Sequence, residues 1–323
     1  MTLAVALDLL ADDLAQLEGL LARVCDVEYR VLGGLLEHIL STRGKRVRPL
    51  VVLAAGRLFA YRPTTLLPAA AAIELLHTAT LVHDDLIDHA TARRGRPTLN
   101  TLTSGGATVL VGDYLFAQAA AFATATGSIR VVRVCSDVLQ TICEGELRQI
   151  FSSGDWDQSI ADYEAQIAGK TASLFAAAAE IGAILTAAPR SARRRLRAYG
   201  HELGMAFQII DDIFDFTATE EELGKPVGSD LRQGTLTLPA LYALRELPAE
   251  NAITAYLQSS DGTREDLLAE AIQTVRDSPA IARAEQQARQ RAACAKRLVA
   301  GLPAGPACEL LATLAEHAVA RRA

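Results

Sequence analysis

Hydrophobic residues recur along this chain at three- and four-residue steps, while the alternation that would build a strand is almost absent. Leu10, Leu14, Leu17 and Leu21 form one such stripe, the spacing of a single helical face. Aromatic residues make up only 5% of the chain, and segments rich in Val, Ile and Thr are scarce, so the expected fold class is all-α. Helices are expected over roughly residues 5 to 39, 48 to 60, 66 to 90, 104 to 126 and 129 to 152, with more to the C-terminus. Punctuation falls at Arg62–Thr65, Arg94–Thr98, Ser153–Asp155, Gly224–Pro226 and Leu302–Gly305. No break is long enough to be an interdomain linker. The expectation is therefore one domain over residues 1–323, a single-domain bundle of long helices around a central cavity in which facing side chains build a site.

Composition narrows the partners. The 323 residues are 50% hydrophobic and 22% charged, with a net charge of -6, which lacks the basic excess of a nucleic-acid binder. A polyanionic ligand would have to be held by local basic clusters. Five cysteines without a C-x-x-C pair argue against a disulfide framework or a zinc site, and Cys135 and Cys143 are read as inert core thiols. The start, MTLAVALDLLADD, is acidic and resembles no secretory leader. Uncharged stretches from Pro97 to Gly112 and from Tyr114 to Ser128 are broken by Asp113 and dotted with polar residues, so no transmembrane segment is expected. The expected location is cytoplasmic, with any membrane association peripheral.

The most informative stripe is Ile73, His77, Thr80, Asp84 and Asp88, an apolar helical face that ends in acid. Asp84 and Asp88 project from one face about one turn apart, and two like charges there repel unless a cation lies between them. Alone, such a pair reads equally well as a solvated acidic face. A second cluster, Asp211-Asp212-Ile213-Phe214-Asp215, again closes an apolar helical run. Two such clusters suit opposing walls of one metal site. Carboxylate ligands without nearby His or Cys favour Mg²⁺, which commonly shares its coordination with substrate phosphates.

Basic residues supply the complement to a phosphorylated substrate. Lys45 and Arg48 lie in Gly44-Lys45-Arg46-Val47-Arg48-Pro49, at an expected helix start. Arg93 and Arg94 follow the first acidic cluster, Lys170-Thr171 follows Gly169, and Lys225 sits in Gly224-Lys225-Pro226. Arg193-Arg194-Arg195-Leu196-Arg197 has no acidic or glycine partner motif and reads as a solvated helix face. His77 and Gln208, taken alone, read as buried polar groups with satisfied hydrogen bonds.

Taken in order, G-K-R-x-R-P, D-D-x-x-D, R-R-G-x-P-T, K-T-A, F-Q-x-x-D-D-x-x-D and G-K-P-x-G-x-D-L run from Gly44 to Pro239, and the chain resembles the trans-prenyl diphosphate synthases of the polyprenyl synthetase family. The resemblance implies an all-α isoprenoid synthase fold, a homodimer, and a Mg²⁺-dependent transferase. Such an enzyme joins isopentenyl diphosphate to an allylic diphosphate, head to tail, releasing diphosphate. It makes Asp84 and Asp88, helped by Asp85, ligands for Mg²⁺ on the allylic diphosphate, and Asp211, with Asp212 and Asp215 nearby, the holder of a further Mg²⁺. Arg93, Lys170, Thr171, Gln208 and Lys225 would contact the allylic substrate, and Lys45, Arg48, His77 and Arg94 the diphosphate of isopentenyl diphosphate. Phe207 would face the carbocation. Thr235 stands where many relatives carry a second lysine, which removes one expected diphosphate contact.

By the same resemblance the product tail grows down the helix of the first motif, and Ala79 and Thr80 would form the first floor of its pocket. Both are small, so a product longer than farnesyl diphosphate is expected, each further turn of about 5.4 Å admitting roughly one more isoprene unit. Two other readings compete. A terpene cyclase would usually lack G-K-R-x-R-P and carry a different second metal motif. A noncatalytic partner subunit of a heteromeric synthase would typically have lost acidic ligands that this chain keeps.

Overall fold

The computed structural model describes residues 8–41, 44–93, 95–152, 156–223, 226–259 and 264–320. Its helices are α1 (Ala11–Ala22), α2 (Arg30–Leu40), α3 (Val47–Arg57), α4 (Pro63–Ile87), α5 (Gly105–Ala125), α6 (Ile129–Ser152) and α7 (Ile160–Ile167). They continue as α8 (Ser173–Leu185), α9 (Arg190–Thr217), α10 (Leu238–Glu246), α11 (Ala252–Gln258), α12 (Arg264–Asp277), α13 (Ala280–Val299) and α14 (Pro306–Ala320). Between α4 and α5 a two-residue hairpin pairs Ala92–Arg93 with Arg96–Pro97.

The expected first helix is two. A 3-10 turn at Arg23–Cys25 separates α1 from α2. Leu17 and Leu21 carry the buried stripe of α1 as far as Val24, but Asp26-Val27-Glu28-Tyr29 offers no continuing apolar face, and Tyr29 is exposed. The bend redirects the chain so that Leu36 and Leu40 of α2 reach the core. The other expected helices occur, with ends shifted by up to three residues.

Two apolar clusters fill the bundle, and α9 belongs to both. Leu196, Tyr199 and Leu203 pack into the cluster formed with α1 to α6, α8 and α14, whereas Met205, Ile209, Ile213 and Phe216 pack with α7 and α10 to α13. Helix α8 can lie against α9 because Gly200 has no side chain: a Cβ there would come within 2.2 Å of the Phe175 carbonyl oxygen. Pro63 starts α4, and its middle, Ala69 to Leu76, is buried throughout. Beyond that buried middle the last turns of the helix emerge from the core, and they carry the aspartates.

Three helical segments are long and apolar enough to cross a membrane by length and composition, Pro63–Ile87, Gly105–Ala125 and Ile160–Leu185. The first and third are largely buried inside the bundle, and α5 is the one left mostly uncovered. The α5 segment qualifies by composition because Asp113 is its one charged residue.

Candidate active site

A cavity of about 680 Å³ opens where α4, α6, the segment before α8, and α9 converge. Lys45, Arg48, His77, Thr80, Asp84, Asp88, Arg93, Lys170, Thr171, Gln208 and Asp211 all line it. Arg94 and Lys225 lie outside the described residues.

Each wall repeats one design. Asp84 and Asp88 stand on α4 with Thr80 one turn deeper; Asp211 stands on α9 with Phe207 one turn deeper; Lys170 has Leu174 one turn beyond it, and Ile142 lines the cavity from α6. Charged and apolar side chains thus share the lining. Lys170 and Thr171 belong to a π-helical turn, Ala168–Ala172, a local widening often found at functional sites.

The basic wall depends on a strained residue. Arg46 adopts φ 46°, the left-handed region, at the N-cap of α3. Its Nε donates to Glu18 at 2.7 Å and its Nη1 to Glu74 at 2.6 Å. That clamp fixes the turn between Lys45 and Arg48. The Arg48 guanidinium lies 4.5 Å above the centroid of Phe175, and Phe175 packs against Phe207 with centroids 5.4 Å apart.

The acidic residues divide sharply by environment. Asp84 faces the cavity, and burial, reinforced by Glu146 and Asp88 against the opposing pull of Lys170, pushes its carboxyl up to about 6. Asp88 is also raised, chiefly by burial. Lys170 lies 2.7 Å from Glu146 and 3.9 Å from Asp84. Burial favours its neutral form, but these carboxylates outweigh that and raise its pKa.

Asp85, one position on, turns away from this cavity and binds Arg93 at 2.7 Å. Asp212 is buried, accepting hydrogen bonds from Tyr163 Oη at 2.5 Å and Gln208 Nε2 at 2.8 Å. Gln208 Oε1 accepts in turn from Thr171 Oγ1 at 2.7 Å. Burial drives the Asp212 carboxyl well above its ordinary range. Asp215 accepts from Ser229 Oγ at 2.9 Å and from the Asp230 N–H at 3.1 Å. The geometry therefore makes Asp85, Asp212 and Asp215 holders of neighbouring side chains and backbone: Asp85 and Asp212 diverge from Asp84 and Asp211 because adjacent helical residues lie about 100° apart, and Asp215, one turn past Asp211, is taken by Ser229 and the Asp230 N–H. Ala79 is likewise fully buried and absent from the lining, whereas Thr80 is present.

Several site residues escaped the reading of the sequence. Glu146 is buried against Lys170, Tyr163 anchors Asp212, and Asp230 lines the cavity. Asp230 stands in the G-x-D-L segment, which was a usable signal; Tyr163 had none. Cys143 is exposed, not a core thiol, while Cys135 is buried.

The donor set fits a hard divalent cation. Burial already favours the neutral form of Asp84, with carboxylates nearby, and a dication would relieve that cost. Among the described residues no three His, Cys, Asp or Glu side chains converge closely enough to hold an ion alone. Asp84, Asp88 and Asp211 would each supply part of a shell completed by ligands from a bound substrate.

The polyprenyl synthetase family model matches residues 29–275. The chain is 41% identical over 315 residues to a Geobacillus stearothermophilus heptaprenyl diphosphate synthase component 2, covering 98% of each. It is 35% identical over 314 residues to the octaprenyl diphosphate synthase of Escherichia coli strain K12, covering 97% of each. Its fold superposes with a TM-score of 0.94 on a Caulobacter crescentus CB15 polyprenyl synthase crystallised with calcium and isoprenyl diphosphate. That match is 36% identical and covers 100% of this chain and 98% of the other. The chain belongs to the polyprenyl synthetase family, whose members are divalent-metal-dependent prenyltransferases.

Two outcomes follow from this geometry. Tyr163→Phe leaves a buried acceptor on Asp212 unpaired, so thermal unfolding should show a loss of about 1 to 3 kcal/mol. The KM for an allylic diphosphate should rise as Gln208 and Thr171 loosen, and unchanged values of both would remove the network from the site.

The second concerns pH. Because Asp84 is raised in the folded state, the folded chain holds more protons than the unfolded chain between the ordinary carboxylate range and about 6. Stability of the metal-free protein therefore falls as pH rises through that window. Cation binding needs the charged form, so calorimetry with a diphosphate substrate analogue bound should show weaker divalent-cation affinity at about pH 5 than at about pH 7.5. Asp84→Asn should flatten that difference, and equal affinities in the native chain would contradict the assignment.

Proposed function

We propose that this family member condenses isopentenyl diphosphate with an allylic diphosphate, using Mg²⁺, to make a polyprenyl diphosphate longer than farnesyl diphosphate. The observation that carries the reading is one cavity lined both by charged groups, Asp84, Asp88, Asp211 and Lys170, and by apolar ones, Leu81, Ile142, Leu174 and Phe207. A substrate with a diphosphate head and a hydrocarbon tail matches both kinds of lining.

Asp84, Asp88 and Asp211 would hold the cations, which supply Lewis-acid stabilisation of the departing diphosphate. Lys170, Thr171, Gln208, Arg93 and Lys225 would orient the allylic diphosphate. Lys45, Arg48 and His77, together with Arg94, would bind the second diphosphate and place the isopentenyl double bond beside the allylic carbon. Preorganised cations stabilise the leaving group without reorganising at the moment of reaction. The allylic C–O bond breaks, the double bond attacks the resulting cation, and a proton is lost from the adduct to the released diphosphate. Phe207 presents a ring to the passing positive charge.

The test is incubation of the purified chain with Mg²⁺, labelled isopentenyl diphosphate and a dimethylallyl, geranyl or farnesyl primer, followed by product-length analysis. Elongation beyond farnesyl is expected from the chain alone. Thr80→Phe should shorten the product, since Thr80, unlike Ala79, lines the cavity. No turnover from folded protein would favour the partner-subunit reading, for which the name of the Geobacillus relative, a component 2, gives a reason.

The proposed assembly is a homodimer through α5. Val109, Leu110, Ala117, Ala120, Ala121 and Thr124 are all exposed on that helix, with Asp113 the one charge among them, and exposed apolar side chains of this kind mark interaction sites. Val132 and Leu147 of α6 are exposed as well. Light scattering should report twice the chain mass, and Ala121→Glu should reduce it to one; a monomeric native chain would exclude this assembly. The proposed location is the cytoplasm, with peripheral membrane contact only, checked by whether fractionated cells carry the chain in the soluble phase.

A further inference from the structure

Helix α6 carries a residue out of pattern. Val131, Cys135, Val138 and Ile142 form its buried stripe, all apolar, and the next position on the same face is a carboxylate, Glu146, which is 8% exposed. Burying a carboxylate is costly unless a charge answers it. The Lys170 ammonium answers it at 2.7 Å, and Lys170 also donates to Gln149 Oε1 at 3.3 Å, within the same turn of α6.

The backbone is built for this approach. A Cβ on Gly145 would lie 3.2 Å from the backbone nitrogen of Lys170, and one on Gly169 would lie 3.3 Å from the Thr141 carbonyl oxygen. Two glycines facing each other bring α6 against the π-helical turn that bears Lys170. Gly145, Glu146 and Gln149 thus act together on one lysine.

The competing partner is Asp84, 3.9 Å from the same ammonium. At 2.7 Å from Glu146 and 3.9 Å from Asp84, the ammonium sits closer to the α6 carboxylate than to the one on α4. We propose that Glu146 is a positioning residue for the reaction, drawing the Lys170 ammonium off Asp84 and aiming it at the allylic diphosphate. This rests on the reading of Lys170 as an allylic-diphosphate contact. Gln149 supports the same placement from one turn further along α6.

Steady-state kinetics on the full chain test it, with Glu146→Gln as the main variant because it keeps the side-chain shape and removes the charge. The KM for the allylic diphosphate and the half-saturating Mg²⁺ concentration should each rise about three- to tenfold, while the KM for isopentenyl diphosphate stays within about twofold. Added to Lys170→Met, the same substitution should cost less than about twofold more, since the lysine it acts through is gone. An unchanged allylic KM, an equal rise for both substrates, or a full effect retained beside Lys170→Met would overturn the proposal. Lys170→Met measured alone separates the two claims: if it leaves the allylic KM unchanged, the allylic reading of Lys170 fails and the positioning role falls with it. If it raises that KM while Glu146→Gln does not, only the role of Glu146 fails.

Discussion

An apolar bundle cannot hydrate carboxylates, and the way this one accommodates them determines nearly everything else about its site. Each buried acid has a different answer. Asp13 pairs with Arg57, Glu74 with Arg46, Asp85 with Arg93, and Asp212 takes neutral donors from Tyr163 and Gln208. Around Asp84 and Asp88 the balance is left incomplete: burial and Glu146 push both carboxyls up, although Lys170 and Arg93 oppose the rise. That residual negative field is what a divalent cation would complete.

The two faces of the last turns of α4 show how finely this is arranged. Asp84 looks into the large cavity, while Asp85 looks toward a smaller pocket behind the helix, closed by His38, Arg93 and Thr98. The Asp85 to Arg93 pair ties the hairpin to α4, so that Arg93 reaches the cavity from a fixed anchor. On the basic side, the left-handed Arg46 plays the corresponding part between Lys45 and Arg48. On both sides an ion pair fixes the backbone that presents the cavity's charges.

Much of this was legible in the sequence, because helical spacing and motif order carry geometric information. The stripe ending at Asp84 and Asp88 and the basic turn at Lys45 and Arg48 reach one cavity as their spacing implied. Spacing says less about adjacent residues. Asp211 and Asp212 are the same letter side by side, yet one lines the cavity and the other is sealed beneath Tyr163. Ala79 and Thr80 diverge in the same way. Glu146 and Tyr163 were invisible for another reason: their meaning comes from a lysine and an aspartate more than twenty residues away. The break after α1 was missed because it depends on where the core ends, not on a helix-breaking residue.

Helix α9 has a consequence for how the molecule comes apart. Because its first half is packed into one apolar cluster and its second half into the other, neither cluster can loosen without disturbing a helix the other needs. Gln208 and Asp211 sit in the second half of that helix, just past the point where the clusters meet. Opening of either cluster therefore disturbs the helix that carries Gln208 and Asp211, which couples the two clusters into one cooperative unit across the described residues.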